Sequence, residues 1–350
     1  MSIDNEKIQN SEDTPSPGAV SADLMPELMT VTPSPHIRTT DTTRTIMLDV
    51  CIALIPAVIW GIYVFGLRAL TVTLISVISA VLAEAVWQKI MKKPVTVLDF
   101  SSAVTGIILA LNLPVSVPLW LPAVGSAFAI IVVKQLFGGL GKNFVNPALA
   151  ARVFLFLAWS AYMAVFTKPG EPMSAIAINP DAVASATPVA ELKRGIIPEG
   201  TSLLDAFLGY EGGSIGEVSA LLLAAGFVYL LVRRIITWHI PVSYIGTVFV
   251  ITLLFPQTSN ALEFALFEIF SGGLFLGAIF MATDYVTSPI SLRGRLIYGI
   301  GCGLITVFIR YFGTYAEGVS FAILIMNLTV WYIDRYTKPK RFGGSKSVKQ

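Results

Sequence analysis

IMLDVCIALIPAVIWGIYVFG, residues 46–66, and ALTVTLISVISAVLAEAVW, residues 69–87, are two apolar runs separated by only two residues. Each is close to the roughly 20 apolar residues that a helix needs to cross the hydrocarbon core of a bilayer. Eight further runs lie near residues 101–113, 120–134, 146–166, 217–237, 240–255, 264–283, 295–312 and 319–334. The expected fold class is therefore an all-α integral membrane protein with about ten transmembrane helices. The runs 101–113 and 240–255 are short, and half-helices or tilted helices are both compatible with them.

The composition supports a membrane protein. Hydrophobic residues make up 55% of the 350 positions and charged residues 13%, whereas about 25% of a typical soluble domain is charged. Membrane lipid is the expected surrounding, and no nucleic-acid partner is expected. The two cysteines, Cys51 and Cys302, lie in apolar runs, so this chain alone offers no disulfide framework and no metal site. Any metal cluster would belong to a partner.

The positive charges predict the orientation. Residues 1–45 are polar and rich in Pro, Ser and Thr, which is typical of a disordered tail, and residues 335–350 form a basic tail. With ten crossings, 18 of the 24 Lys and Arg residues fall on the side of the N-terminus, and five fall on the other side: Arg68, Lys168, Lys193, Arg194 and Arg310. The positive-inside rule then places both termini in the cytoplasm.

The long connection over residues 167–216 follows five spans and is therefore expected outside, as a small solvated excursion. Because five is odd, the repeats 46–166 and 217–334 should have opposite orientations in the membrane. The third span of each half supports this, since FSSA at 100–103 leads to LNLP at 111–114, and FSGG at 270–273 leads to ATDYVTSP at 282–289. Paired broken helices indicate a site between the repeats, although two ordinary Pro-terminated helices would give the same pattern.

Within the external connection, residues 181–188 read DAVASATP. A Ser-Ala-Thr triplet alone usually makes turn hydrogen bonds. The segment resembles the flavinylation motif of the family that contains the D subunit of the Rnf complex and the B subunit of the sodium-pumping NADH:quinone oxidoreductase. In that motif an Asp lies six residues before the Thr of a Ser/Gly-Ala-Thr triplet, and Asp181, Ser185, Ala186 and Thr187 match it. The likeness continues in SPHIRTTDTTRTIMLD at 34–49, GGLGKNFVNPA at 138–148 and MATDYVTSP at 281–289.

The resemblance implies FMN joined by a phosphoester to Thr187 and attached outside the membrane by a dedicated flavin transferase. It also implies a bacterial or archaeal cytoplasmic membrane and partner subunits of the Rnf complex that carry iron–sulfur clusters and flavins. The expected function is a flavin-carrying subunit of a complex that couples ferredoxin:NAD⁺ oxidoreduction to the translocation of Na⁺ or H⁺. The sequence leaves three alternatives open: the B subunit of the sodium pump, a secondary transporter or channel for a small polar solute, and a purely structural membrane anchor.

The glycine-rich segment at 138–148 has two interpretations. One is a tight turn in which glycines supply positive φ angles. The other is close backbone approach to a second, noncovalent flavin such as riboflavin, or to a partner subunit. The residues proposed for this contact are Gly138, Gly139, Gly141, Lys142 and Asn146.

Charged residues at membrane depth are costly and indicate function. Asp284, with Thr283 and Thr287, is a candidate for an ion pathway, because a carboxylate and hydroxyls can coordinate Na⁺ or relay a proton. The alternative is that Asp284 caps a half-helix or pairs with Arg293 or Arg295. Further candidates are Glu84, whose side chain can extend to the cytoplasmic surface, Glu268 near the external interface, and Arg152, expected to pair with a carboxylate or a flavin oxygen.

Overall fold

Helices occupy all ten apolar runs in the computed structural model, which describes residues 41–167, 169–170, 184–185, 187–197, 202–217, 219–313 and 317–338. The first half contains α1 (Thr43–Phe65), α2 (Leu67–Ile90), α3 (Ser101–Leu111), α4 (Trp120–Ala127, continued by a π-helix at Phe128–Gln135) and α5 (Pro147–Ala158). The connection contains α6 (Ser160–Met163), β1 (Phe166–Thr167), β2 (Ala184–Ser185), α7 (Pro188–Leu192) and α8 (Leu203–Leu208). The second half contains α9 (Ala220–Val232), α10 (His239–Leu254), α11 (Ala261–Phe270), α12 (Leu274–Leu276, continued by a π-helix at Gly277–Met281), α13 (Leu292–Phe312) and α14 (Val319–Thr337). Residues 1–40 and 339–350, predicted to be tails, lie outside the described residues.

The lengths of the helices distinguish those that can cross the whole hydrocarbon core of a membrane from those that can cross only part of it. Among the described residues, α1, α2 and α13 are each long and apolar enough to cross a membrane, and α11 with α12 adds a fourth if this pair, bent by 58°, is one span. The remaining apolar helices are shorter. The 11 residues of α3 rise about 16 Å, roughly half of a 30 Å hydrocarbon core. A half-helix, one of the two alternatives that the short run 101–113 leaves open, fits this length.

Contacts between helix ends identify the N-terminal face of the bundle, which we define as the face at which α1 begins. There the Arg44 guanidinium lies 5.6 Å from the centre of the Phe100 ring, just before α3. The Lys134 ammonium, at the end of the π-helix after α4, lies 2.7 Å from Glu84 near the end of α2. The Arg233 guanidinium lies 2.8 Å from Asp49, which joins the end of α9 to the start of α1.

The opposite face, here called the loop face, carries the long connection. The Gly170 N–H donates to the Val64 carbonyl near the end of α1, over 3.2 Å. The Tyr311 hydroxyl, near the end of α13, donates to the Phe255 carbonyl just after α10, over 2.8 Å. The first helix of each half therefore starts from a different face, and the two halves have opposite orientations. The predicted all-α membrane fold is confirmed.

Several described residues of the long connection are packed on the bundle. Leu192 and Ala206 are buried against Phe264 and Phe267 of α11 in a second hydrophobic cluster. Ile215 is fully buried in the main core. Among the described residues of this connection, strand pairing is confined to β1 and β2, which are two residues each. These apolar side chains gain burial on the loop face, so this part of the connection is not the solvated excursion expected from the sequence.

Candidate functional site

Two half-helices end against each other inside the bundle. Asn112 ends α3, and its amide donates to the Ile108 carbonyl over 2.7 Å and to the Met281 sulfur over 3.4 Å. The Asn146 amide, before α5, donates to the Met281 carbonyl over 3.3 Å. The Gly216 N–H donates to the Leu111 carbonyl over 2.7 Å. Non-helical backbone at membrane depth is tolerated where protein groups satisfy it, and these bonds do so.

Arg152 links this meeting point to the loop face. Its guanidinium donates to the Asn112 side-chain oxygen over 3.0 Å and to the Ser320 hydroxyl over 2.7 Å. It forms a salt bridge with Glu317, and Glu217 lies 3.7 Å away. The prediction that Arg152 pairs with a carboxylate is therefore confirmed.

A cavity opens between the repeats toward the N-terminal face. Most of its walls are apolar side chains of α1, α3, α9 and the segment around Met281. Its polar lining consists of Ser101, Thr105, Lys134, Asn143, Asn146, Thr283, Asp284 and Tyr285. The structure thus brings Asn146, Thr283 and Asp284 together around one space, although they come from two motifs that are far apart in the sequence.

Asp284 is half-buried at the edge of this cavity. One carboxylate oxygen accepts the Thr287 hydroxyl over 3.1 Å, and the other accepts the Val286 N–H over 3.5 Å. The Thr283 hydroxyl donates to the Ile279 carbonyl. Neither Arg293 nor Arg295 is within ion-pair distance of Asp284 among the described contacts. The carboxylate therefore organises the turn after the half-helix, while its outward side borders the cavity.

The glycine-rich segment forms a turn, as one of its two interpretations requires. Gly138, Gly139 and Gly141 have φ angles of +114°, +95° and +88°, a region that disfavours residues with a Cβ. Lys142 is exposed on this turn, whereas Asn146 is buried beyond it. Of the five residues grouped in this motif, only Asn146 lines the cavity.

A buried ion pair lies at the start of each half-helix, beside α3 in the first half and beside the break between α11 and α12 in the second. Before α3, Phe100 has a φ of +62°, and the Lys134 ammonium joins the Ser101 hydroxyl to Glu84, both over 2.7 Å. Glu84 is fully buried, so the expectation that it extends to the surface is wrong.

Between α11 and α12, Gly272 and Gly273 have φ angles of +74° and +66°. Arg310, near the end of α13, pairs with Glu268 over 2.5 Å and donates to the Ser271 and Gly272 carbonyls over 3.3 and 3.4 Å. Glu268 is 2% exposed, so its carboxylate is paired inside the protein. In the sequence, each pair is marked by a basic residue, Lys134 or Arg310, inside an apolar run. Sequence spacing does not identify Glu84 as the partner of Lys134, because the two residues are far apart in the chain.

Thr187 lies at the loop face as the N-cap of α7. Its hydroxyl oxygen accepts the Ala190 N–H over 3.3 Å, and the residue is 5% exposed. Ser185 belongs to β2, whose backbone pairs with Phe166, and its side chain is outside the described structure. Asp181 and Ala186 also lie outside the described residues.

The position of Thr187 bears on whether it can carry a phosphoester. The residue supplies a hydroxyl on the face opposite the start of α1 and the end of α14, which fits the expected attachment chemistry. Attachment requires the hydroxyl oxygen to turn outward, and the lost cap of α7 would cost about 1 kcal/mol. The residue type and face fit the group, and the residue must rotate to receive it.

Comparison with known proteins gives consistent matches over most of the chain. The model of the NQR2, RnfD, RnfE family matches residues 30–343. The D subunit of the Na⁺-translocating ferredoxin:NAD⁺ oxidoreductase complex of Acetobacterium woodii is 49% identical over 326 residues, covering 92% of this chain and 98% of the relative. The D subunit of the proton-translocating ferredoxin:NAD⁺ oxidoreductase complex of Clostridium ljungdahlii is 39% identical, covering 92% and 98%. The D subunit of the ion-translocating oxidoreductase complex of Stutzerimonas stutzeri is 41% identical, covering 85% and 91%.

Proposed function

The chain belongs to the NQR2, RnfD, RnfE family, and we propose that it is the D subunit of an ion-translocating ferredoxin:NAD⁺ oxidoreductase complex in a cytoplasmic membrane. The observation that carries this proposal is 49% identity over 92% of the chain to a subunit with that name. Other subunits of the complex would supply the iron–sulfur and flavin centres that exchange electrons with this one. The relatives include one Na⁺-translocating and one proton-translocating complex, so the proposal covers either ion.

Thr187 is the proposed carrier of covalent FMN, attached by a flavin transferase on the outer side of the membrane. The location of α7 on the loop face supports this, because the start of α1 and the end of α14 lie on the other face. FMN would supply the electron-accepting ring, and the protein tunes such a ring by position and by the polar groups around it. The role of Thr187 is to hold the cofactor beside the outer end of the second repeat.

A second, noncovalent flavin is proposed for the cavity toward the N-terminal face. Its apolar walls suit the dimethylbenzene edge of a flavin ring, and the amides of Asn143 and Asn146 suit the pyrimidine edge. The Lys134 ammonium at the cavity wall would stabilise negative charge on that edge. Ligand sites commonly combine apolar walls with a few placed polar groups in this way.

An ion pathway is proposed beside the same cavity, through Asp284 with Thr283 and Thr287. The support is a carboxylate at the cavity edge, with the Thr287 hydroxyl bonded to it over 3.1 Å. A carboxylate at the broken end of a helix is a common way to handle ions inside a membrane.

The proposal is tested by flavin fluorescence of the denatured chain after gel electrophoresis, using protein made in a host with the flavin transferase. Wild type should give a fluorescent band, and Thr187→Ala should abolish it. The matched control is Thr258→Ala, which removes a threonine hydroxyl from the same face, between α10 and α11. A fluorescent band of equal intensity in Thr187→Ala would overturn Thr187 as the attachment site. A wild-type band without fluorescence would overturn the assignment of a covalent flavin.

A further inference from the structure

The helix that begins at the flavin-attachment residue is packed directly on the break in the second repeat. A Cβ placed on Gly272 would lie 2.6 Å from Val189 Cγ2 and 2.8 Å from Arg310 Nη2. Real Cβ atoms essentially never approach other atoms this closely, so a side chain at residue 272 would force Val189 or Arg310 to shift, and the φ of +74° disfavours a side chain there as well. Val189 is 1% exposed, and this contact is therefore dry and close.

A second contact joins the same short helix to α13. The Lys193 ammonium, one residue after α7, donates to the Gly313 carbonyl at the end of α13. The Arg310 guanidinium, one turn earlier on α13, holds the carbonyls of the break. α7 therefore contacts the second repeat at two points: Val189 packs against Gly272 at the break, and Lys193 bonds to Gly313 at the end of α13.

The break leads directly to the centre of the bundle. The segment Leu274–Met281 begins at the break and spans about 12 Å at a helical rise. Its last carbonyl, that of Met281, accepts the Asn146 amide, and Asn146 lines the cavity. The Glu217 side chain packs close to the break, because its carboxylate oxygen lies 3.1 Å from where a Cβ of Gly273 would be. The break is therefore linked to a cavity residue through one continuous helical segment.

We propose that Val189 and Gly272 are positioning residues that transmit movement of the Thr187 helix to the half-helix Leu274–Met281, and so couple the redox state at the loop face to the ion pathway. This inference rests on the proposed function, since it needs a redox group at Thr187. One electron added at that group changes the charge beside α7, where Lys193 and Arg194 lie. A change of charge can shift a two-state element only if its two arrangements interact differently with that charge. The two glycines with positive φ supply the backbone that can change arrangement.

The test uses the intact complex in vesicles and measures ions moved per electron transferred. Val189→Ala removes the Cγ2 contact, and we expect the ratio to fall several-fold while the fluorescent flavin band remains. Gly272→Ala should lower the ratio too, because its methyl displaces α7. The double variant should recover part of the ratio, since the new methyl occupies the space that Val189 gives up.

Matched controls separate transmission from general damage. Val165→Ala truncates a half-exposed valine on the same face, and Gly170→Ala places a Cβ at a φ of +82° with no atom within 4 Å. Both should leave the ratio unchanged. Hydrogen exchange of residues 271–281 gives a second readout, and it should differ between oxidised and chemically reduced wild type but not in Val189→Ala.

An unchanged ratio in Val189→Ala, with the flavin band present, would overturn the coupling role while leaving the proposed function intact. Loss of the flavin band in Val189→Ala would also overturn it, because the contact would then serve attachment. A wild type without any flavin band would instead overturn the proposed function itself. The three failures are therefore distinguishable.

Discussion

Arg310 and Glu268 form an ion pair of 2.5 Å in which both side chains are almost completely buried. Removing one partner of a buried pair leaves an uncompensated charge, which costs about 3–5 kcal/mol. We therefore expect Arg310→Met to lower the free energy of unfolding by about this amount, measured by denaturant titration in detergent. Adding Glu268→Gln should recover part of the loss, because the second variant removes the stranded charge.

The Arg233–Asp49 pair provides the control for that experiment. Its ion-pair distance is 2.8 Å, but the Arg233 side chain is 50% exposed. Because Arg233 is half exposed although Asp49 is largely buried, Arg233→Met should cost clearly less than Arg310→Met, closer to the about 0–1 kcal/mol of exposed pairs. Equal losses in Arg310→Met and Arg233→Met would contradict the interpretation that burial makes the Arg310 pair important.

Glu211 predicts a pH dependence at the loop face. Its carboxyl pKa is raised from 4.5 to about 7: burial is the largest cause, a hydrogen bond from Ser271 opposes the rise, and the nearby Asp205 and Glu191 add to it. Because the folded protein binds this proton more tightly than the unfolded chain does, the stabilising contribution is complete below the unfolded value and is lost as pH rises through the folded one.

The difference in free energy of unfolding between wild type and Glu211→Gln should therefore fall as pH rises from about 4.5 to beyond 7. Glu263→Gln, which changes a partly exposed carboxylate on the same face, is the matched control. A difference that stays constant over this range would contradict the buried placement of Glu211.

At the scale of elements, the glycine-rich turn before α5 allows the cost of a strained backbone angle to be measured apart from any change in side-chain packing. Gly141 has a φ of +88°, and a Cβ added there would have no atom within 4 Å, so Gly141→Ala should cost about 1–2 kcal/mol from conformation alone. Gly246→Ala, at a helical position that is equally open, should cost nothing or stabilise slightly. Equal stability of the two variants in a denaturant titration would argue against the positive φ at residue 141.

The third spans show how far sequence patterns predict these elements. LNLP and ATDYVTSP correctly predict that both half-helices end early, because proline and polar residues cannot continue an apolar helix. The break at Gly272 is hidden in the sequence, since a Gly-Gly pair inside an apolar run is also compatible with a continuous helix. Its position depends on Arg310 and Val189, which approach from distant parts of the chain.

The candidate site, like the third spans, can be predicted only in part from the sequence. Thr187 and Asp284 can be singled out because a motif or a charge at membrane depth marks each of them. The cavity cannot be predicted, since its polar lining joins Asn146 and Asp284 with Lys134 across both repeats. Only the packing of the two inverted halves brings these residues together.

At the scale of the whole molecule, an external flavin requires the loop face to lie outside the cell. Cysteines placed on each face test this with a membrane-impermeant thiol reagent applied to intact cells. Ser259→Cys, exposed between α10 and α11, should react, and Lys93→Cys, exposed after α2, should react only after the cells are opened. The unsubstituted chain, with its buried Cys302 and partly buried Cys51, measures the background. The reverse pattern would contradict the orientation and the external flavin.

Mass spectrometry of the peptide that contains Thr187, taken from the purified complex, tests the central claim most directly. We predict a peptide heavier than its amino acids by one FMN less one water, with the addition located on residue 187 by fragmentation. An unmodified peptide from a host that carries the flavin transferase, or an addition on another residue, would contradict it.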